Sequence, residues 1–179
     1  MTVMPRDPAT ANRLMLTLGA IVIRFGEFEV ARQGAIVTIH HGADERLSGK
    51  GGGKKRLPPD IFAEGSKYMR ESVRFDGMGP FAADIERIMD TADRLAKQRN
   101  YIVHGFIAQF VEETRLVLFR KFNVSRSDDT YLGSPLEITL ADLETLRDDA
   151  TAMAAEMTDL AARLLRAFFS DTESPILDF

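Results

Sequence analysis

The stretch Thr139–Phe169, TLADLETLRDDATAMAAEMTDLAARLLRAFF, decides the fold class. Leu143, Leu146, Ala150, Met153, Met157, Leu160 and Leu164 recur at alternating three- and four-residue steps. At 3.6 residues per turn those steps place all seven on one stripe of an α-helix. A seam of this kind buries itself against other helices, as in an antiparallel bundle. Thr139-x-x-Asp142 at its start resembles a capping box, with Asp in place of Glu. Phe168-Phe169 close the helix, and Ser170 to Phe179 form a tail.

Immediately upstream the period changes. Thr114 to Phe122 is rich in apolar and β-branched residues and reads as a strand. Ser125 to Asp129 forms a turn, and a second strand covers Leu136 to Thr139, giving a hairpin inserted before the last helix. A helix opens at Pro80 or Phe81, with Ile85, Ile88, Met89, Ala92, Leu95 and Ala96 as its apolar stripe. Arg99 and Ile102 stay in phase, so it is expected to continue through Gly105 to Val111. A shorter helix precedes it, beginning after Pro58-Pro59-Asp60 and running to about Val73, followed by a turn from Arg74 to Pro80.

The first helix runs from Ala11 to about Ile39, with Leu14, Leu18, Ile21, Phe25, Phe28, Arg32, Ile36 and Ile39 on one side. Val22, Val30 and Val37 widen that stripe and imply a well-buried helix. Gly19, Gly26 and Gly34 fit either the close approach of a neighbouring helix or chance spacing. His40 to Pro59 reads as a break containing a flexible basic loop, Lys50, Lys54, Lys55 and Arg56 among glycines. It is not a phosphate-binding Gly-x4-Gly-Lys loop, because Lys55 and Arg56 follow Gly53-Lys54 where Ser or Thr is required. The expected architecture is mostly α: an up-and-down bundle of four to five helices with a β-hairpin insertion before the last helix. Residues 11–169 make one domain, the insertion lies at about 114–139, and residues 1–10 and 170–179 are tails.

Composition narrows the function. With no cysteine in 179 residues, a disulfide scaffold, a thiol nucleophile and cysteine-ligated zinc or iron–sulfur sites are excluded. No stretch reaches the roughly 20 apolar residues of a membrane span, and the first ten residues do not form a signal peptide. A cytoplasmic protein is therefore expected. Net charge is -4. A dedicated nucleic-acid binder is usually basic, so either any RNA contact is local or the chain is not an RNA binder at all.

Arg99-Asn100-Tyr101-Ile102-Val103-His104-Gly105 holds an arginine, an amide and one of three histidines within six residues. Arginine braces phosphate oxygens with a planar fork of donors. Histidine moves a proton near neutral pH. Together they suit binding and cutting of a phosphodiester. Arg99 and His104 are offset by about 140° around an ideal helix, whereas Asn100 and His104 share a face. His40-His41 beside Asp44 and Glu45 is the best alternative for a metal, but adjacent histidines in a loop are more often solvated, so no metal is expected.

The Arg-Asn-x-x-x-His string resembles the signature of the HEPN superfamily of helical nucleotide-binding and RNase domains. The resemblance implies a small helical bundle in which two motif helices meet across a homodimer, so that two copies complete one cleft. It implies a metal-independent endoribonuclease with no cofactor, as in a toxin or phage-defence effector, with an antitoxin as a further partner. His104 would act as general base or acid, Arg99 would stabilise the transition state, and Asn100 would orient His104 or a phosphate. An acid on the first helix, Glu29, would support Arg99 or His104; it fits a solvated edge charge equally well. Lys50, Lys54, Lys55 and Arg56 would track the RNA backbone, or serve only as a soluble loop. Some members carry a tyrosine two residues after the histidine as an AMP-acceptor; here that position is Phe106. Two other readings compete: a non-catalytic RNA- or nucleotide-binding module of the same shape, and a dimeric interaction protein.

Overall fold

The structure, a computed structural model, describes residues 4–48, 61–120, 122–124, 130–132 and 135–170. It is mostly helical. Among the described residues there are four α-helices: α1 (Pro8–Ser48), α2 (Ile61–Ser72), α3 (Ala82–His104) and α4 (Leu140–Phe169). A 3-10 turn, Gly79–Phe81, leads into α3. Between α3 and α4 lie strands β1 (Phe106–Val111), β2 (Leu116–Arg120), β3 (Phe122–Val124), β4 (Thr130–Leu132) and β5 (Leu136–Thr139). Among the described residues no helix is long and apolar enough to cross a membrane. The chain divides into two compact units, residues 1–26 with 93–152, and residues 27–92 with 153–179.

The first unit contains a three-stranded antiparallel sheet in the order β1-β2-β5. Its register sets Phe110 opposite Val117, and Val117 opposite Ile138. All three are buried, so one cross-strand row carries the inner face of the sheet. Ala108 is the extra residue where the register shifts between Ile107 and Gln109, a bulge in β1. The sheet is larger than the expected hairpin and begins earlier. α3 stops at His104, and residues 106–111 form β1 where the helical phase was expected to continue. Two aromatic and two β-branched residues in that run favour a pleated surface, and pairing with β2 supplies the hydrogen bonds the helix would otherwise make. β3 and β4 pair separately as a two-stranded ribbon.

At the start of α4 the capping box is formed. Asp142 N–H donates to Thr139 Oγ1 at 3.1 Å, while the Asp142 carboxylate accepts from Thr139 N–H at 3.3 Å and from its hydroxyl at 2.6 Å. Leu140 N–H donates to Arg115 O at 3.0 Å, tying the β1–β2 turn to the first residue of the helix. Arg115 has φ of 50° in that turn. α1 starts earlier than expected, at Pro8, because Asp7 caps it. The Thr10 hydroxyl and N–H donate to the Asp7 carboxylate at 2.6 and 2.9 Å and hold its pKa below the usual value. Pro at the first helical position suits this cap.

In the second unit, Phe28, Ile36 and Ile39 of α1, Met69 of α2, Ile85, Ile88 and Met89 of α3, and Met153, Met157, Leu160 and Leu164 of α4 are buried. With Leu143, Leu146 and Ala150, buried in the first unit, every position of the α4 seam is buried. Full burial of each large side chain contributes about 1.5–3 kcal/mol. The break expected at His40 is absent, and α1 runs on to Ser48. Gly42 explains part of this. A Cβ there would meet the Phe168 ring at 2.6 Å, so the glycine admits a close aromatic contact that offsets its poor helix propensity. The expectation that α1 is well buried fails on one side, where Leu16, Val22, Ile23 and Val30 are exposed.

The second unit also carries an arginine–carboxylate cluster. Asp84 accepts from Arg163 Nη2 at 2.5 Å and Arg87 Nη2 at 3.1 Å, and these bonds, that from Arg163 first, hold its carboxyl below its usual pKa. Since the folded-state value is the lower one, the stabilisation is complete above the unfolded-state value, about 3.9, and fades as pH falls through the folded-state value. Urea unfolding followed by circular dichroism should show Asp84→Asn less stable than wild type near neutral pH. The two should converge below about pH 4, with a modest gap throughout because the partners are partly exposed. An undiminished gap in acid would contradict the assignment.

Candidate functional site

The Arg99–His104 motif occupies the last turns of α3, in the first unit. Leu95, four residues before Arg99, is buried. The Arg99 stem therefore leaves the helix at the edge of the core-facing stripe and is half-buried, while Asn100 and His104 share the exposed face. Arg99 Nη1 donates to Asn100 Oδ1 at 3.2 Å. That bond draws one arm of the guanidinium toward the face that carries His104. The guanidinium carbon also lies 6.0 Å from the ring centroid of buried Phe25 on α1. A cation over an aromatic face is worth about 0.5–1 kcal/mol in a partly exposed setting. Amide and ring together orient a planar donor fork on the same two turns of α3 that carry the exposed His104.

His104 is the last residue of α3 and Gly105 links it to β1. A Cβ at Gly105 would lie 2.2 Å from Tyr101 O and 2.8 Å from Arg120 O. Only a residue without a side chain lets the helix end pass so close to the β2 backbone. Gly105 thus sets where His104 leaves the helix. The sequence pattern carries the helix through Gly105 and so misses this stop, and Phe25 has no local signal, since it reaches Arg99 only through packing.

Of the other expected site residues, only Glu29 is among the described ones. Glu29 lies in the second unit and forms an ion pair with Arg32. Arg32 is buried, donates from Nη1 to Ser66 Oγ at 2.9 Å and has its guanidinium carbon 5.5 Å from the Phe28 ring centroid. Lys50, Lys54, Lys55 and Arg56 lie outside the described residues. His40 and His41 sit on α1 rather than in a loop, with their rings edge-to-face at 5.5 Å. Among the described residues no group of three or more histidines and carboxylates is placed to hold a metal ion.

A groove of about 240 Å³ runs beside α3 one turn before the motif, lined in part by Arg94, Gln98, Glu137, Asp142 and Asp149. Arg94 is paired with Asp149 at 3.1 Å. The surplus of carboxylates repels a polyanion, so the groove is unsuited to a phosphate backbone. The exposed end of α3 is the better place for one. No family model matches the chain, and no curated protein and no solved structure matches it.

Proposed function

We propose that this chain is a metal-independent endoribonuclease of the HEPN type, acting as a homodimer in which two Arg99–His104 motifs complete one cleft. On this reading the helices form that family's up-and-down bundle, and the sheet is an insertion before its last helix. The observation that carries the proposal is the exposed His104 five residues after Arg99, whose guanidinium is oriented by Asn100 and Phe25. His104 takes the proton of a ribose 2′-hydroxyl, whose oxygen attacks the adjacent phosphorus. The bond to the 5′-oxygen breaks and that oxygen is protonated, by the partner's histidine or by water. Arg99 donates to the non-bridging oxygens as charge builds on them. A role as a toxin or defence effector, with an antitoxin partner, belongs to the same proposal.

The purified chain incubated with single-stranded RNA should produce 2′,3′-cyclic phosphate ends, and cleavage should persist in chelator. Activity that vanishes with chelator and returns with magnesium would sink this chemistry. The net charge of -4 and the acidic groove beside α3 favour a second reading, a nucleotide-binding module without cleavage. Nucleotide binding with no cleavage of any RNA would select it.

A further inference from the structure

The bulge in β1 decides which way Phe106 faces. In β2, Val117 and Phe119 are buried, and Leu116, Leu118 and Arg120 alternate with them on the other, half-exposed face of the sheet. Phe110 is buried opposite Val117. In a regular strand Phe106, four residues before Phe110, would share that buried face. The extra residue at Ala108 reverses the alternation and sets Phe106 opposite Arg120 instead. Phe106 is accordingly 41% exposed, against 1% for Phe110. Side chains directly opposed in an antiparallel pair start about 4.5–5.5 Å apart at Cβ, so the Phe106 ring and the Arg120 side chain are neighbours.

The pair lies beside His104. Phe106 follows the histidine by two residues, and a Cβ on Gly105 between them would lie 2.8 Å from Arg120 O, so the end of β2 abuts the end of α3. All of these residues belong to the first unit. Arg13, Arg87, Arg94 and Arg163 are each held by a carboxylate, whereas among the described residues none holds Arg120. A half-exposed cation and an exposed aromatic ring thus stand together next to the exposed imidazole.

We propose that Phe106 and Arg120 form a subsite for one unpaired nucleotide of a single-stranded RNA, with the Phe106 ring stacked on the base and the Arg120 guanidinium on an adjoining phosphate. An aromatic face accepts any base, and the planar fork of arginine fits phosphate oxygens. A duplex keeps its bases stacked inside, out of reach of the ring, so the pair selects single strands. The inference rests on the ribonuclease reading and deepens it by naming the substrate class and two residues that hold it.

The probe is a short single-stranded RNA carrying 2′-O-methyl groups, which block cleavage, and one 2-aminopurine, whose fluorescence is quenched by stacking. With the label moved along the strand, the full chain should quench it at one position. Phe106→Leu should abolish that quenching and weaken binding about tenfold, and Phe106→Trp should restore both. Arg120→Gln should weaken binding to a similar degree and reduce the slope of log affinity against log salt by about 0.7, the share of one phosphate in a single strand. On cleavable RNA Phe106→Leu and Arg120→Gln should raise KM and leave kcat unchanged. Circular dichroism melts check the fold of each variant, and Arg120→Gln, at a half-exposed side chain, tests the subsite even where a change at Phe106 disturbs β1. Quenching and affinity unchanged in both Phe106→Leu and Arg120→Gln, no binding of the RNA, or 5′-AMP held as tightly as the oligonucleotide would each overturn the proposal. Normal cleavage kinetics in both variants would overturn it as well and leave the ribonuclease reading intact. Binding that depends on Phe106 and Arg120 without any cleavage would leave the subsite standing and remove the ribonuclease reading.

Discussion

His104→Ala is expected to lower RNA cleavage by a factor of about 10²–10⁴, the usual contribution of a positioned acid or base. Thermal stability should change little, because the imidazole is exposed at the end of α3. Arg99→Lys should also reduce cleavage strongly. A lysine keeps the charge but loses the planar fork, and with it the simultaneous bond to Asn100 and contact with phosphate. Cleavage rates on a defined oligonucleotide, with circular dichroism melts of each variant, check both. Full activity in His104→Ala would remove the catalytic assignment. Unfolding of His104→Ala would recast the histidine as a structural residue.

Gly105→Ala should behave differently. A methyl group 2.2 Å from Tyr101 O and 2.8 Å from Arg120 O has nowhere to go, because both neighbours are backbone. Either the end of α3 or the edge of the sheet must shift. Overpacking of this kind typically costs about 1–3 kcal/mol. For a chain of this length that corresponds to a fall in Tm of roughly 2–12 °C. Cleavage should fall as well, since the shift moves His104. A Gly105→Ala variant with unchanged melting would mean that the helix end and β2 are not held as close as the geometry indicates.

Parts of the structure were legible in the sequence because they depend on local pattern. The α4 seam repeats at helical spacing and has its own cap, so Leu143 through Leu164 and the Thr139–Asp142 pair could be read directly. β2 and β5 announced themselves by composition. β1 did not. Ile102, Phe106 and Phe110 continue a helical spacing, and only pairing with β2, a non-local event, turns residues 106–111 into a strand. Past His40, Gly42 of α1 lies against Phe168, more than a hundred residues away, a contact no local pattern announces. Periodicity marks which side chains are apolar but not which sides of a helix find cover. Val22 and Val30, which widen the apolar stripe in the sequence, are exposed in the structure. At the candidate site, Arg99, Asn100 and His104 form a local string and were visible. Phe25 beneath Arg99 was not.

The bulge at Ala108 has a consequence for how this chain behaves in crowded solution. Among the described residues β1 has a strand neighbour on one side only, which makes it an edge strand. A regular edge of this kind is a template for aggregation. The extra residue at Ala108 bends the strand and breaks the even spacing of its peptide groups, so an incoming strand cannot zip along all six residues. The irregularity acts as a guard against polymerisation, built into the strand that directly follows the histidine.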